Sequence, residues 1–222
     1  MKFQLIFDLK GILVDQAAIE RFGYDYLLYS LKRGKKELPR VFLYGLAAAI
    51  TKNLSPNFAY EFGEEAFRDV PRTLVEEFAE RYARYLPRKS LTLMRLLRRL
   101  GYEIFVITHD IHDLNEKVYE RMEVEEGNVI DNKFKWNGSR VEGLELLVDN
   151  KLHAYFRLVR DGRIDPRKSV VIGHSKEEVP LIPPSRFAIG PKNSEKAFKR
   201  RADALYKDLL ELPKLLEKLE ES

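Results

Sequence analysis

From Lys89 onward, the 222-residue chain alternates segments of helical periodicity with short apolar runs, and this alternation narrows the possible folds more than any other feature. Adjacent parallel strands must be joined by a crossover, usually a helix. The pattern therefore predicts a mostly parallel sheet covered on both faces, with loops at the strand carboxyl ends forming the site. A helix is expected over Lys89–Leu100 with Gly101 as its stop, followed by an apolar strand over Tyr102–Thr108. A further helix should cover Asp113–Met122. Strands Val129–Trp136 and Arg140–Leu147 flank Asn137-Gly138, a hairpin signal because both turn residues tolerate positive φ. A helix over Lys151–Arg160 and a strand over Ser169–Gly173 come next, then short strands at Arg186–Ile189 and Ala204–Lys207 and a closing helix from about Leu209.

The amino-terminal run Lys2–Asp8 reads as a buried parallel strand bounded by a charge, followed by a polar turn at Lys10-Gly11. Residues 16–86 read as helical, with Pro39, Pro56 and Pro71 each at a position that suits a helix start and Ser55 as a cap before Pro56. Ile19, Phe22 and Tyr26 recur at helical spacing, as do Leu74, Phe78 and Tyr82. Residues 16–86 thus read as a small helical bundle.

Cysteine is absent, which excludes disulfides, thiol nucleophiles and iron–sulfur or zinc-finger ligation. Any metal must be held by oxygen or histidine. No apolar run approaches the ~20 residues that span a bilayer, so no membrane association is expected and a cytoplasmic location is. The formal charge of +4 is a mild excess, and the runs Lys32-Arg33-Gly34-Lys35-Lys36 and Lys199-Arg200-Arg201 read as solvated faces rather than a nucleic-acid surface. Many charges with Gln only at positions 4 and 16 resemble a heat-adapted, thermostable composition.

Polar residues gather where the strands end: Asp8, Thr108, Lys151 at the head of a helix, and His174 with Glu178 beyond Gly173. Phe-Asp-Leu-Lys-Gly-Ile-Leu-Val-Asp (7–15) resembles the first motif of the haloacid dehalogenase (HAD) superfamily, and Val-Val-Ile-Gly-His-Ser-Lys-Glu-Glu-Val-Pro-Leu-Ile (170–182) resembles its last. Thr108 ends a strand as the second motif requires, and Lys151 lies 23 residues before His174, suited to the third. A helical insertion directly after the first motif, and a hairpin before Lys151, resemble the phosphoserine-phosphatase branch. The resemblance implies an α/β Rossmann-like core over residues 1–15 and 87–222, with 16–86 as its inserted helical cap. It also implies a nucleophilic Asp8 that forms an aspartyl-phosphate, Thr108 and Lys151 as phosphate holders, and magnesium held by acidic residues. His109, Asp110 and His112, just beyond Thr108, are expected to line the site, with His109 among the phosphate-binding residues.

Four positions depart from that pattern. Lys10 replaces the second aspartate, which in the family acts as general acid and base; Ile12 replaces a threonine; His174 replaces an aspartate of the last motif, and Glu178 stands where its partner is expected. General acid–base catalysis contributes roughly 10²–10⁴-fold and metal charge stabilisation several kcal/mol, so losing both would cost about 10⁴–10⁷-fold. The substitutions are electrostatically consistent with one another: an ammonium ~4 Å from Asp8 interacts by roughly 4 kcal/mol before desolvation, so Lys10 is expected to replace the charge of magnesium. A surviving metal would use Asp8, His174 and Glu178, and another divalent ion or none is as compatible with these residues as magnesium.

Each residue also has a plainer reading. Asp8 can cap a strand, and Thr108 and Lys151 are common residue types. His174 can be a loop residue, a hydrogen-bonding partner of Asp8 or a transition-metal ligand. Residues 15–86 hold seven of eleven tyrosines and six of thirteen phenylalanines, which reads first as a bundle core and second as an aromatic pocket. Phosphoserine phosphatases place an acidic residue nine positions after the nucleophile to hold the substrate amine; here that position is Ala17, with Glu20 three residues on. The expected function is a weak or atypical phosphatase acting on a small phosphorylated molecule. The alternatives are an inactive pseudoenzyme that binds an anion or a partner, and metal-free hydrolysis through an aspartyl ester as in the dehalogenases.

Overall fold

A computed structural model describes residues 2–32, 43, 46, 47 and 56–221. Within them β1 (Gln4–Phe7), β2 (Glu103–Ile111), β3 (Val129–Asn137), β4 (Arg140–Glu145), β5 (Ser169–Ile172), β6 (Phe187–Pro191) and β7 (Ala204–Tyr206) form one sheet. Their order is β4-β3-β2-β1-β5-β6-β7, and every pairing is parallel except β3 with β4. The fold is therefore the mostly parallel α/β architecture expected. From β1 the chain builds first toward β2 and later toward β5, so the connections part beside β1, where open α/β sheets form their ligand crevice.

The sheet explains why its central strands read as unbroken apolar runs. Leu5 and Phe7 face one layer together with Ile104, Val106, Val170 and Ile172. Ile6, Phe105, Ile107 and Val171 face the other. Successive side chains alternate between faces, and both faces are buried. The first layer is closed by α4 (Arg88–Arg99), whose Leu93, Met94 and Leu97 fall on one stripe, and by α8 (Leu212–Glu220). Gly101, at φ 81°, supplies the left-handed residue that ends α4. The second layer is closed by α6 (Lys151–Arg160), with Ala154, Tyr155 and Leu158 buried, and by Phe198 of the short α7 (Lys196–Lys199).

Between β1 and α4 lie α1 (Ala18–Lys32), α2 (Pro56–Phe67) and α3 (Arg72–Ala83). The aromatic residues of this region form a core. Phe22 lies 5.1 Å from Phe78, 5.5 Å from Phe67 and 6.4 Å from Phe134, ring centre to ring centre. That core also takes in Ile111 and Leu114, from β2 and from α5 (His112–Met122), so it seats the inserted helices on the sheet. Residues 69–72 run beside β4: Asp69 N donates to Val141 O at 2.8 Å, Val141 N to Val70 O at 3.0 Å and Arg72 N to Ser139 O at 2.8 Å.

Three local expectations need correction. The hairpin turn sits one residue later than Asn137-Gly138: Asn137 pairs with Arg140, leaving Gly138 at φ 58° and Ser139 as the loop, because Gly138 takes the left-handed position. The second strand continues past Thr108 to Ile111 through a register shift against β3. Polar residues extend it because Asn132 of β3 donates to His109 O and accepts from Leu147 N and Val148 N. At the carboxyl end, a 3₁₀ turn over Leu209–Glu211 precedes α8. The expectations at Pro39 and Ser55, and most of the basic run that begins at Lys32, lie outside the described residues. No helix among the described residues is long and apolar enough to cross a membrane.

Candidate active site

Phe7 is level with Val106 of β2 and Ile172 of β5, so Asp8 and His174 follow the carboxyl ends of their strands, and Thr108, within the longer β2, stands beside them. Lys151 enters from the first position of α6. Asn150 caps that helix by accepting from Leu152 N at 2.8 Å. A helix start is the least favourable helical position for an ammonium, and carboxylates supply the compensation. Lys151 Nζ lies 2.6 Å from Glu178 Oε1, 2.9 Å from Asp8 Oδ2 and 3.5 Å from Glu177 Oε2. Asp8, Thr108, Lys151 and Glu178 are all buried, whereas the Glu177 side chain is 52% exposed.

Glu178 is held from its other oxygen, Oε2, which accepts from His174 N, Ser175 N and Ser175 Oγ at 2.9–3.1 Å. Burial raises its pKa, but Lys151 and these donors outweigh burial and leave it below the usual carboxylate value. For Asp8 burial dominates. Its pKa is raised, with Glu178 adding to the rise while Lys151 and a hydrogen bond from Thr108 pull against it. Burial disfavours the Lys151 ammonium, yet Asp8, Glu178 and Glu177 more than reverse this and hold it charged. Glu177 is drawn down to about 2, first by its hydrogen bond with His109 and, against the cost of burial, by Lys151. His109 Nδ1 sits 3.2 Å from Glu177 Oε2.

Lys10 is not where charge balance at Asp8 would put it. Its ammonium lies 2.8 Å from Glu20 of α1, at a half-exposed position, and makes no ion pair with Asp8. Lys151 already neutralises Asp8, and a long side chain loses less hydration by pairing near the surface than by entering a filled pocket. The His174 ring rests on the Gly11 peptide, where any side chain would collide with it and where φ is 77°. Its buried Nδ1 has no hydrogen-bond partner.

The phosphatase resemblance brings magnesium with it, and the donor set can be tested against that ion. Asp8, His174 and Glu178 each place one ligand atom within 4.8 Å of the others. Magnesium demands near-octahedral oxygen ligands. Here one donor is an imidazole, Glu178 Oε2 already accepts three hydrogen bonds, and the Lys151 ammonium lies against both carboxylates. These residues do not fit magnesium.

Asp110 and His112 do not line the site as their place beyond Thr108 suggests, and Glu177 and Ser175 carried no expected role. Asp110 is buried and accepts from Ala18 N, Ile19 N and Ile111 N at 2.6–2.9 Å, so it caps α1 from the end of β2 and does not line the phosphate position. His112 likewise turns to Asp131, 3.1 Å from its Nδ1 to either oxygen, and Tyr119 Oη donates to the same carboxylate at 2.8 Å.

A sheet of this order, an Asp at the end of β1 and a helical insertion directly after it define the haloacid dehalogenase fold in its phosphoserine-phosphatase form. The solved structures agree. A phosphoserine phosphohydrolase-like protein from Francisella tularensis subsp. tularensis SCHU S4 superposes with a TM-score of 0.74 at 16% identity, over 97% of this chain and 99% of that one. An apo phosphoserine phosphatase gives 0.66 at 15% identity, over 96% and 98%. A phosphoserine phosphatase carrying a phospho-aspartyl intermediate analogue gives 0.63 at 15%, over 96% and 98%. At these identities the likeness establishes the fold. No protein-family model and no curated protein matches the sequence.

Proposed function

We propose that this chain acts on a small phosphate ester as a weak phosphatase, or one with unusual metal needs, through an aspartyl-phosphate at Asp8. The observation that carries this reading is the buried contact of Lys151 with Asp8 and Glu178 at the strand ends. It sets the buried Asp8 carboxyl between a fixed cation and the Thr108 hydroxyl. Asp8 would attack phosphorus as the ester P–O bond breaks, the departing alkoxide would take a proton from water, and a second water would later cleave the acyl phosphate to release inorganic phosphate and restore Asp8. Thr108, His109 and Lys151 would hold the phosphoryl oxygens. Support also comes from the fold shared with a phosphatase structure that carries a phospho-aspartyl analogue.

One observation favours the inactive, anion-binding alternative: the residue at the family's proton-transfer position is Lys10, and its ammonium is engaged by Glu20 at 2.8 Å. A phosphate-ester panel with magnesium, manganese, cobalt or no metal separates the two readings. It would compare the native chain with D8N and with the K10D/H174D double variant. Native turnover abolished by D8N supports the enzyme. A silent native chain rescued by the double variant supports the pseudoenzyme, and silence in both without phosphate binding overturns both readings.

A further inference from the structure

Lys151 has three N–H donors, and three carboxylates surround it. Two belong to the buried Asp8 and Glu178 and are fixed by the fold. The third, Glu177, is the outermost and joins the two groups assigned to phosphate: 3.5 Å from Lys151 Nζ and 3.2 Å from His109 Nδ1 through one oxygen, Oε2. A phosphoryl oxygen held by the same donors would need that place.

We propose that Glu177 is an internal occupant of the anion subsite, a carboxylate that a phosphoryl group must displace in order to reach Lys151 and His109. The inference rests on the phosphate-site reading above and gives that site a selectivity. The fold allows the exchange, because Glu177 is half exposed and can rotate outward into water, whereas Asp8 and Glu178 cannot. The backbone anchors only the base of the side chain: Glu177 N donates to Ser175 Oγ at 3.2 Å. Once displaced, the carboxylate remains at the mouth of the site. There it disfavours ligands carrying a second anionic group and favours phosphate esters with a neutral or cationic remainder. The native protein therefore binds free phosphate poorly, through competition within the chain and not for lack of cations.

Calorimetric titration of inorganic phosphate into the native protein, E177Q and the remote surface variant E116Q tests this. E177Q keeps the shape of the side chain and removes its charge, so it should bind phosphate about tenfold more tightly than native, after allowance for solvent screening. E116Q should match native, which separates local displacement from a change in net charge. In E177Q, phosphate should also shift the His109 ring resonances. Native and E177Q binding phosphate with affinities within twofold would overturn the inference while leaving the phosphate site intact. Phosphate binding by none of the three proteins would overturn the phosphate-site reading and this inference with it.

Discussion

Lys151 and Glu178 form a buried ion pair at 2.6 Å, each side chain only 2% exposed. Such a pair is conditional on both members. Removing one charge strands the other in a low-dielectric interior, at a cost of about 3–5 kcal/mol.

That dependence gives the first prediction. K151M should lower stability by about 3–5 kcal/mol in urea denaturation, because it strands Asp8 and Glu178 together. Adding D8N to K151M should recover part of the loss, since one of the two stranded charges is then gone. If K151M proves as stable as native, the ion pair is not the anchor of the site.

Asp110 supplies the second. Its carboxylate holds the first amides of α1 from the end of β2. D110A should cost about 1–3 kcal/mol, the range for a lost helix cap with buried donors left unpaired. In hydrogen exchange the amides of Ala18 and Ile19 should lose protection first. Loss spread evenly over the whole molecule would contradict a local capping role.

His112 provides a pH test. Its hydrogen bond to Asp131 outweighs burial and raises its pKa above 6.5. A folded pKa above the unfolded one contributes stability that is complete below about 6.5 and is lost as pH rises through the folded value. Denaturation midpoints measured from pH 5.5 to 9 should show this fall in the native protein. H112Q should flatten that part of the curve; an unchanged slope would remove His112 as its source.

Phe22 tests the seating of the inserted helices. Its ring touches Phe67, Phe78 and Phe134 in one cluster, so F22A should cost about 3–5 kcal/mol. The loss should also loosen the β3–β4 hairpin, visible as faster exchange of the Phe134 amide. A loss confined to α1–α3 would mean that the helices hold a core of their own.

How much of this was legible depends on the range over which each signal acts. The α/β alternation is local, and the two buried faces of Leu5, Ile6 and Phe7 already show as an uninterrupted apolar run. Asp8, Thr108, Lys151 and Glu178 were found through the motifs they resemble, since nothing in the spacing of Asp8 and Lys151 alone brings them to 2.9 Å. The continuation of β2 through Asp110 was missed because its polar residues are satisfied from distant segments, by Asn132 and by the start of α1. Lys10 was misplaced because pairing it with Asp8 ignored both Lys151, already there, and Glu20, one helix away. Glu177 lay in a motif that was read, but its role depends on an approach to His109 across 68 residues of sequence.

Residues 69–72 have a second consequence. β4 is one of the two edge strands of the sheet, and open strand edges invite pairing with another molecule. Asp69, Val70 and Arg72 occupy part of that edge by bonding to Ser139 and Val141. The segment 69–72 therefore shields this edge from pairing with another molecule. A core trimmed of residues 16–86 would expose that edge and the apolar faces of Phe134 and Val141 at once, and would self-associate.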